Sequence, residues 1–350
     1  MQANFSTYLS DLSTNPLLVI VSLLVFAVIV FNGWIDAPGA IATTIFARSI
    51  KPKIAVIMAS FLNFLGVIVM ALLNTSVART FYHMVDFEDG SKISLAILCA
   101  GLCAIVIWTF LAWLMAIPTS ISHTLVAGIA GAGIASSQGF GAVDKNEIVK
   151  VLYGFGISII MGFVLGFLIV KVIELIFKGA NRKKSMTFFQ KSQIGASAFM
   201  AFMHGAQDGQ KSMGIFLLSL YLVRDIPVDD KPDIPFWIIL MCAILMALGT
   251  SLGGYKIMKK IGNSIVTLNK YQGFSADLAA SISILFSSVA GMPLSTTQTK
   301  TVATMGVGAA KRFKSVKWNV AKDLVMTWVI SFPACGLIGY VMAKLFLIFV

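Results

Sequence analysis

Two aspartates stand where a charge is expensive. Asp36 closes the run Asn32-Gly33-Trp34-Ile35-Asp36, and Asp208 closes His204-Gly205-Ala206-Gln207-Asp208, each in or beside an apolar stretch. A carboxylate inside hydrocarbon costs at least about 2.5 kcal/mol on insertion scales unless it is paired, protonated or hydrated. One such residue serves equally well as a structural cap or ion-pair partner. Two at matched places point to ion coupling, with Asn32 and Gln207 as further candidate ion ligands. Gly33 and Gly205 would let the backbone unwind there and offer carbonyls to a cation.

Hydroxyl clusters follow each aspartate. Pro118-Thr119-Ser120-Ile121-Ser122-His123-Thr124 begins 82 residues after Asp36, and Pro293-Leu294-Ser295-Thr296-Thr297-Gln298-Thr299 begins 85 after Asp208. Proline followed by Ser or Thr is an ordinary helix start with hydroxyl caps. The same terminus also gathers free N–H groups, hydroxyls and the positive end of the helix dipole, worth about 0.3 to 2 kcal/mol to an anion. Two opposed starts make a sharper expectation, one tetrahedral oxyanion held between them. Lys300 falls within the second cluster's segment, where it would contact the anion, stand in for a coupling cation, or snorkel to the interface without a role. His123, His204 and Gln298 are polar neighbours for which structural hydrogen bonding is the default. Asp277 and Asp323 sit near span starts, where acids are commonplace.

These groups need a scaffold. Of 350 residues 58% are hydrophobic and only 12% charged, against roughly a quarter charged in soluble domains. About 20 apolar residues cross a bilayer core, and such stretches recur at 16–34, 52–74, 93–117, 147–177, 192–223, 234–255, 274–291 and 323–350. The first is long and is followed by many others, so it is expected to be an anchor and not a cleaved leader. Cys99, Cys103, Cys242 and Cys335 lie inside spans without metal or disulfide spacing and read as packing residues.

The net charge of +12 does not imply nucleic acid, because the basic residues sit in loops between spans, which is topology information. Acid-free basic loops carry Lys178, Arg182, Lys183, Lys184 and Lys191; Lys256, Lys259, Lys260 and Lys270; and Lys311, Arg312, Lys314, Lys317 and Lys322. With Arg48, Lys51 and Lys53 they are expected on the cytoplasmic side. Asp86, Glu88 and Asp89, and Asp225, Asp229, Asp230 and Asp233, belong outside. This threading works with both termini outside and with the Gly/Ser/Thr-rich segments 119–138 and 293–310 as re-entrant hairpins.

The halves echo one another: glycines recur 13 and 15 residues past each proline, at Gly131 and Gly133 and at Gly306 and Gly308. Opposite loop charges after the two aspartate motifs make this an inverted repeat, the sequence pattern of a transporter with a midplane site. Residues 1–177 are expected to form one repeat, 178–191 a cytoplasmic basic loop and 192–350 the other. The fold class is an all-α integral membrane protein, an inverted-repeat transporter with two re-entrant hairpins and about 10–12 membrane segments. Nucleotide loops, His-Glu-x-x-His and Gly-x-Ser-x-Gly are absent from the sequence, so an enzyme is not expected.

The asparagine motif NGWIDAPGAIATT from Asn32 to Thr44 resembles the NGxxDxxNAxAT signature of the PiT family of inorganic phosphate transporters. HGAQDGQKSMGI from His204 to Ile215 resembles its HGANDxQKAMGI, and the segments from Pro118 and Pro293 resemble its two PxSxTH-type hairpin starts. The resemblance covers nearly the whole chain and is closest to the low-affinity bacterial branch. It implies symport of phosphate with H+ or Na+ across the cell membrane, a homodimer in lipid, and no further cofactor or metal. By match to the motifs, Asp36 and Asp208 would couple the ion; Ser120, Ser122, Thr124, Ser295, Thr296, Thr297, Thr299 and Gln210 would hold phosphate; Lys211 and Lys300 would be possible anion contacts. Gly39, Gln207 and Gln298 depart from the family's Asn, Asn and His, which leaves the coupling ion open. Sulfate on the same scaffold is the near alternative, and a non-transporting receptor or membrane-embedded enzyme the distant one.

Overall fold

Proline and asparagine write many of the helix starts. Asn15 accepts from the Leu17 and Leu18 N–H groups ahead of Pro16, Pro38 and Pro52 open two further helices, and Asp144 and Asn181 cap the two longest. The protein, a computed structural model, is described over residues 4–86, 91–115, 119–224, 232–254, 258 and 266–349. Pro118, Glu88, Asp89, Asp225, Asp229, Asp230, Lys256, Lys259 and Lys260, used in the reading above, lie outside these residues.

The helices run in the order α1 Phe5–Thr14, α2 Pro16–Phe31, α3 Pro38–Phe46, α4 Pro52–Leu73, α5 Ser76–Tyr82, α6 Ser91–Leu114, α7 Ile121–Ile134, α8 Lys145–Ile176, α9 Arg182–Val223, α10 Phe236–Ser251, α11 Lys270–Val289, α12 Thr296–Lys311 and α13 Trp318–Phe346. Among the described residues there is no strand, only a single bridge between Val85 and Val143. Among the described residues five segments are long and apolar enough to cross a membrane: Pro16–Phe46, Pro52–Leu73, Lys92–Leu114, Lys145–Ile176 and Trp318–Phe346. The chain is an all-helical, multi-pass membrane protein.

Two expectations are corrected. The backbone does not unwind at the signature glycines: Asn32–Asp36 is a π-helical turn between α2 and α3, and α9 passes through Asp208 unbroken. Gly205 serves close approach instead, because a Cβ there would collide with the Asn63 backbone of α4. Gly33 does the same against Met246 and Thr250 of α10. Residues 182–191, read as loop, are the first turns of α9, whose 42 residues reach about 63 Å at 1.5 Å each. Asn181 caps those turns through Lys183 and Lys184 N–H, which the charge pattern alone does not reveal.

Packing follows an exchange symmetry. α7 lies against α13 while α12 lies against α8, and α6 meets α13 as α11 meets α8. α4 packs on α9, and α10 packs on α2 and the π turn. Gly66 faces Phe202 and Gly249 faces Val30, each three residues ahead of its signature glycine. Each short helix, α7 and α12, thus leans on the last long helix of the opposite half, with Gly131 against Gly336 and Gly306 against Phe163.

Two of the basic stretches are tied to the loop before α4. Ser49 donates to Gln193 at 2.6 Å and Lys270 to Gln190 at 2.6 Å, which joins the α3–α4 loop, the start of α9 and the start of α11. At the far end of α9, Arg224 pairs with Asp11 of α1 at 2.7 Å. Tyr82, at the end of α5, meets Tyr221 edge-on near that end.

Candidate functional site

The starts of α7 and α12 meet inside the protein. Ser120 Oγ and Ser295 Oγ, each the residue before its helix, lie 2.7 Å apart and fully buried. α7 has 14 residues and α12 has 16, about 21 and 24 Å long, too short to span about 30 Å of hydrocarbon. Their positive dipole ends therefore converge deep in the bundle, where anion attraction is least screened. Ser295 also accepts the Gln298 N–H at 3.2 Å, so the ordinary capping role and the facing arrangement coexist.

Each aspartate sits on the helix start of its own half. Asp36 Oδ2 accepts the Ile121 N–H at 3.2 Å, and Asp208 Oδ2 accepts from Thr296 Oγ1 at 2.9 Å. The carboxylates are otherwise unlike. Asp208 is ringed: Lys211 Nζ donates to Oδ1 at 2.5 Å, and His204 Nε2 lies 3.3 Å from Oδ2. Asn63 joins the chain, its Oδ1 3.1 Å from His204 Nδ1 and its Nδ2 donating to Thr250 at 2.8 Å.

Around Asp36 an amide is unspent. Asn32, fully buried one turn earlier, has neither amide atom hydrogen-bonded, while the Thr297 hydroxyl is directed at the Asp36 carboxylate. Asp36, Gly39, His204, Thr296, Thr297 and Lys300 border one narrow cleft. Open space lies where a Gly39 side chain would begin.

Of the expected anion ligands, Ser120, Ser122, Ser295, Thr296 and Thr297 gather at the facing starts. Thr124 and Thr299 instead bond back to Ile121 O and Ser295 O in their own helices. Gln210 points elsewhere, donating to Asn74 O at 2.7 Å and accepting the Ala78 N–H at 3.3 Å. Gln207 donates to Met292 O at 3.2 Å and accepts from Ser288, holding the turn before α12. Gln298 accepts from Ser158 at 3.3 Å, and the His123 ring packs edge-on against Phe155 at 4.1 Å.

Lys300 does not snorkel. Its ammonium is buried against Asp277, itself fully buried, and donates to Thr43 at 3.2 Å. Asp277 also accepts from Thr43 at 2.8 Å and Thr44 at 3.2 Å. This lock between α3, α11 and α12, and the Asn63–Thr250 link, were not singled out in the sequence. The available signal was one polar residue in an apolar span, Asn63, and a lysine and an aspartate too far apart in sequence to be paired by spacing. Among the described residues no three His, Cys, Asp or Glu side chains cluster as a metal site would require.

Comparison with known proteins places this geometry. The model of the Phosphate transporter family matches residues 32–339. The chain is 35% identical to the "Probable low-affinity inorganic phosphate transporter" of Bacillus subtilis over 92% of this chain and 96% of that protein. The protein of the same description from Mycobacterium leprae is 34% identical over 93% of this chain and 77% of its own. A solved structure described as "The sodium-dependent phosphate transporter" superposes with a TM-score of 0.88 at 23% identity, covering 96% of this chain and 100% of that one. That likeness carries the fold. With a family match over most of its length and relatives above 30% identity, the chain belongs to the phosphate transporter family.

Proposed function

We propose that this protein carries inorganic phosphate across the cytoplasmic membrane in symport with a cation, H+ or Na+, and alternates access by moving the two hairpin segments 119–138 and 293–310 about a midplane site. The observation that carries this reading is the buried meeting of two helix starts at Ser120 and Ser295, with a carboxylate on each. Backbone N–H groups, hydroxyls and convergent dipoles suit a tetrahedral oxyanion. Phosphate is the substrate of the family, and the relatives' description favours it over sulfate.

The coupling role falls to the aspartates, because a buried carboxylate between repeats is where a cation lowers the cost of bringing in an anion. Ser120, Ser295 and Thr297 are the phosphate ligands in this reading, the Ser122 and Thr296 hydroxyls being spent on Leu294 O and Asp208. The basic loops face the cytoplasm by the positive-inside rule, with both termini outside. The protein acts as a homodimer in lipid and performs no covalent chemistry. A receptor would bind phosphate without moving it.

Uptake of radiolabelled phosphate into liposomes holding the purified protein tests this, with Na+ and pH gradients imposed separately and sulfate as competitor. Saturable uptake driven by one gradient, poorly inhibited by sulfate and lost in Asp36→Asn, is the expected result. Absence of uptake under either gradient refutes it.

A further inference from the structure

We infer that Lys211 is a tethered cation that occupies a cation site built on Asp208, so that Asp36 alone of the two signature aspartates is open to an exchangeable coupling ion. This rests on the transport reading for its consequence, but the site itself stands on geometry.

An ammonium has three N–H donors. Lys211 Nζ has three oxygen acceptors: Asp208 Oδ1 at 2.5 Å, Leu294 O at 2.5 Å and Ser122 Oγ at 2.6 Å. None of its donors is left for phosphate, and the side chain is fully buried. Carboxylate, carbonyl and hydroxyl oxygens drawn from α9, the α12 start and α7 are what a hard metal cation takes in broken-helix transporters. The lysine supplies the charge that such an ion would bring.

Repeat register sharpens the contrast. Lys211 follows Asp208 by three residues, and Gly39 follows Asp36 by three. Where α9 delivers an ammonium, the first half delivers no side chain and leaves open space. His204 precedes Asp208 by four residues and is engaged with Asn63 through Nδ1, its Nε2 lying 3.3 Å from Asp208 without a hydrogen bond. Asn32 precedes Asp36 by four and is buried with both amide atoms unpaired. One half of the repeat is filled and internally neutralised by its own lysine; the other keeps a carboxylate with no ammonium hydrogen-bonded to it and an Asn32 amide with no partner.

A bare buried ion pair would share this geometry, so the test reads ion occupancy. Equilibrium binding of radioactive Na+ is measured on the purified full chain in detergent. The wild type is expected to bind no more than one Na+ per chain at saturation. Lys211→Ala is expected to bind one more than wild type, and adding Asp208→Asn to that variant is expected to remove the extra ion. A folded, phosphate-binding Lys211→Ala that gains no Na+ overturns the assignment. Should Lys211→Ala not fold, the wild-type count still decides: two Na+ per chain, one of them lost in Asp208→Asn, overturns it. Phosphate uptake by wild-type liposomes is run in parallel. Failure there sinks the transport reading alone, while the sodium count bears on the tethered cation alone.

Discussion

Lys300 and Asp277 offer a direct check on how charge is handled inside this protein. Both side chains are buried, and Thr43 and Thr44 supply the remaining hydrogen bonds to the carboxylate. Removing one member of a buried pair strands the other, which costs about 3–5 kcal/mol. Lys300→Met leaves Asp277 with two hydroxyl donors, whereas Asp277→Asn leaves the ammonium with Thr43 and a neutral amide. Replacing both removes the stranded charge, and such double replacements are often neutral. The singles should therefore fall near the full penalty and the double within about 2 kcal/mol of wild type, a coupling of at least about 4 kcal/mol. Taking about 2 °C per kcal/mol, each single should melt about 6–10 °C early. Tryptophan fluorescence during thermal unfolding in detergent reads this for all four proteins. If the singles melt within about 2 °C of wild type, or the double shows the sum of their losses, the pair does not exist in the folded state.

Other outcomes follow from the same contacts. Ser120→Ala and Ser295→Ala should each raise KM for phosphate uptake by about ten- to a hundredfold, since a hydrogen bond to a charged group is worth about 1.5–3 kcal/mol, and by similar factors because the two are matched. Gln210→Ala should lower the melting temperature without raising KM, because Gln210 clasps Asn74 and Ala78 and not the facing helix starts. Gly33→Ala and Gly205→Ala should both reduce the yield of monodisperse protein, since each new Cβ meets backbone on the opposite half, and overpacking costs about 1–3 kcal/mol or more. A normal elution profile for either would contradict the close helix contact.

Much of this protein is legible before folding. Long apolar runs can only be membrane helices, because water excluded from hydrocarbon leaves no other way to satisfy the backbone. The matched Asp and Ser/Thr motifs name the facing helix starts, since burying such groups twice at the same spacing has few other uses. Periodicity pairs Asp208 with His204 and Lys211 on one helix face, but it says nothing about partners on other helices. Lys300 meets Asp277 across 23 residues, His204 meets Asn63 across 141, and Lys211 reaches Leu294 O across 83. In a low-dielectric interior each polar atom must be satisfied by whatever the packing brings near. For that reason two aspartates with matching sequence contexts end in unlike states. The i,i+3 spacing of Asp208 and Lys211 on one helix is local. Only the tertiary structure decided that Leu294 O and Ser122 close the ammonium's remaining donors and that Asn32 beside Asp36 keeps an unpaired amide, because helix crossing sets those distances.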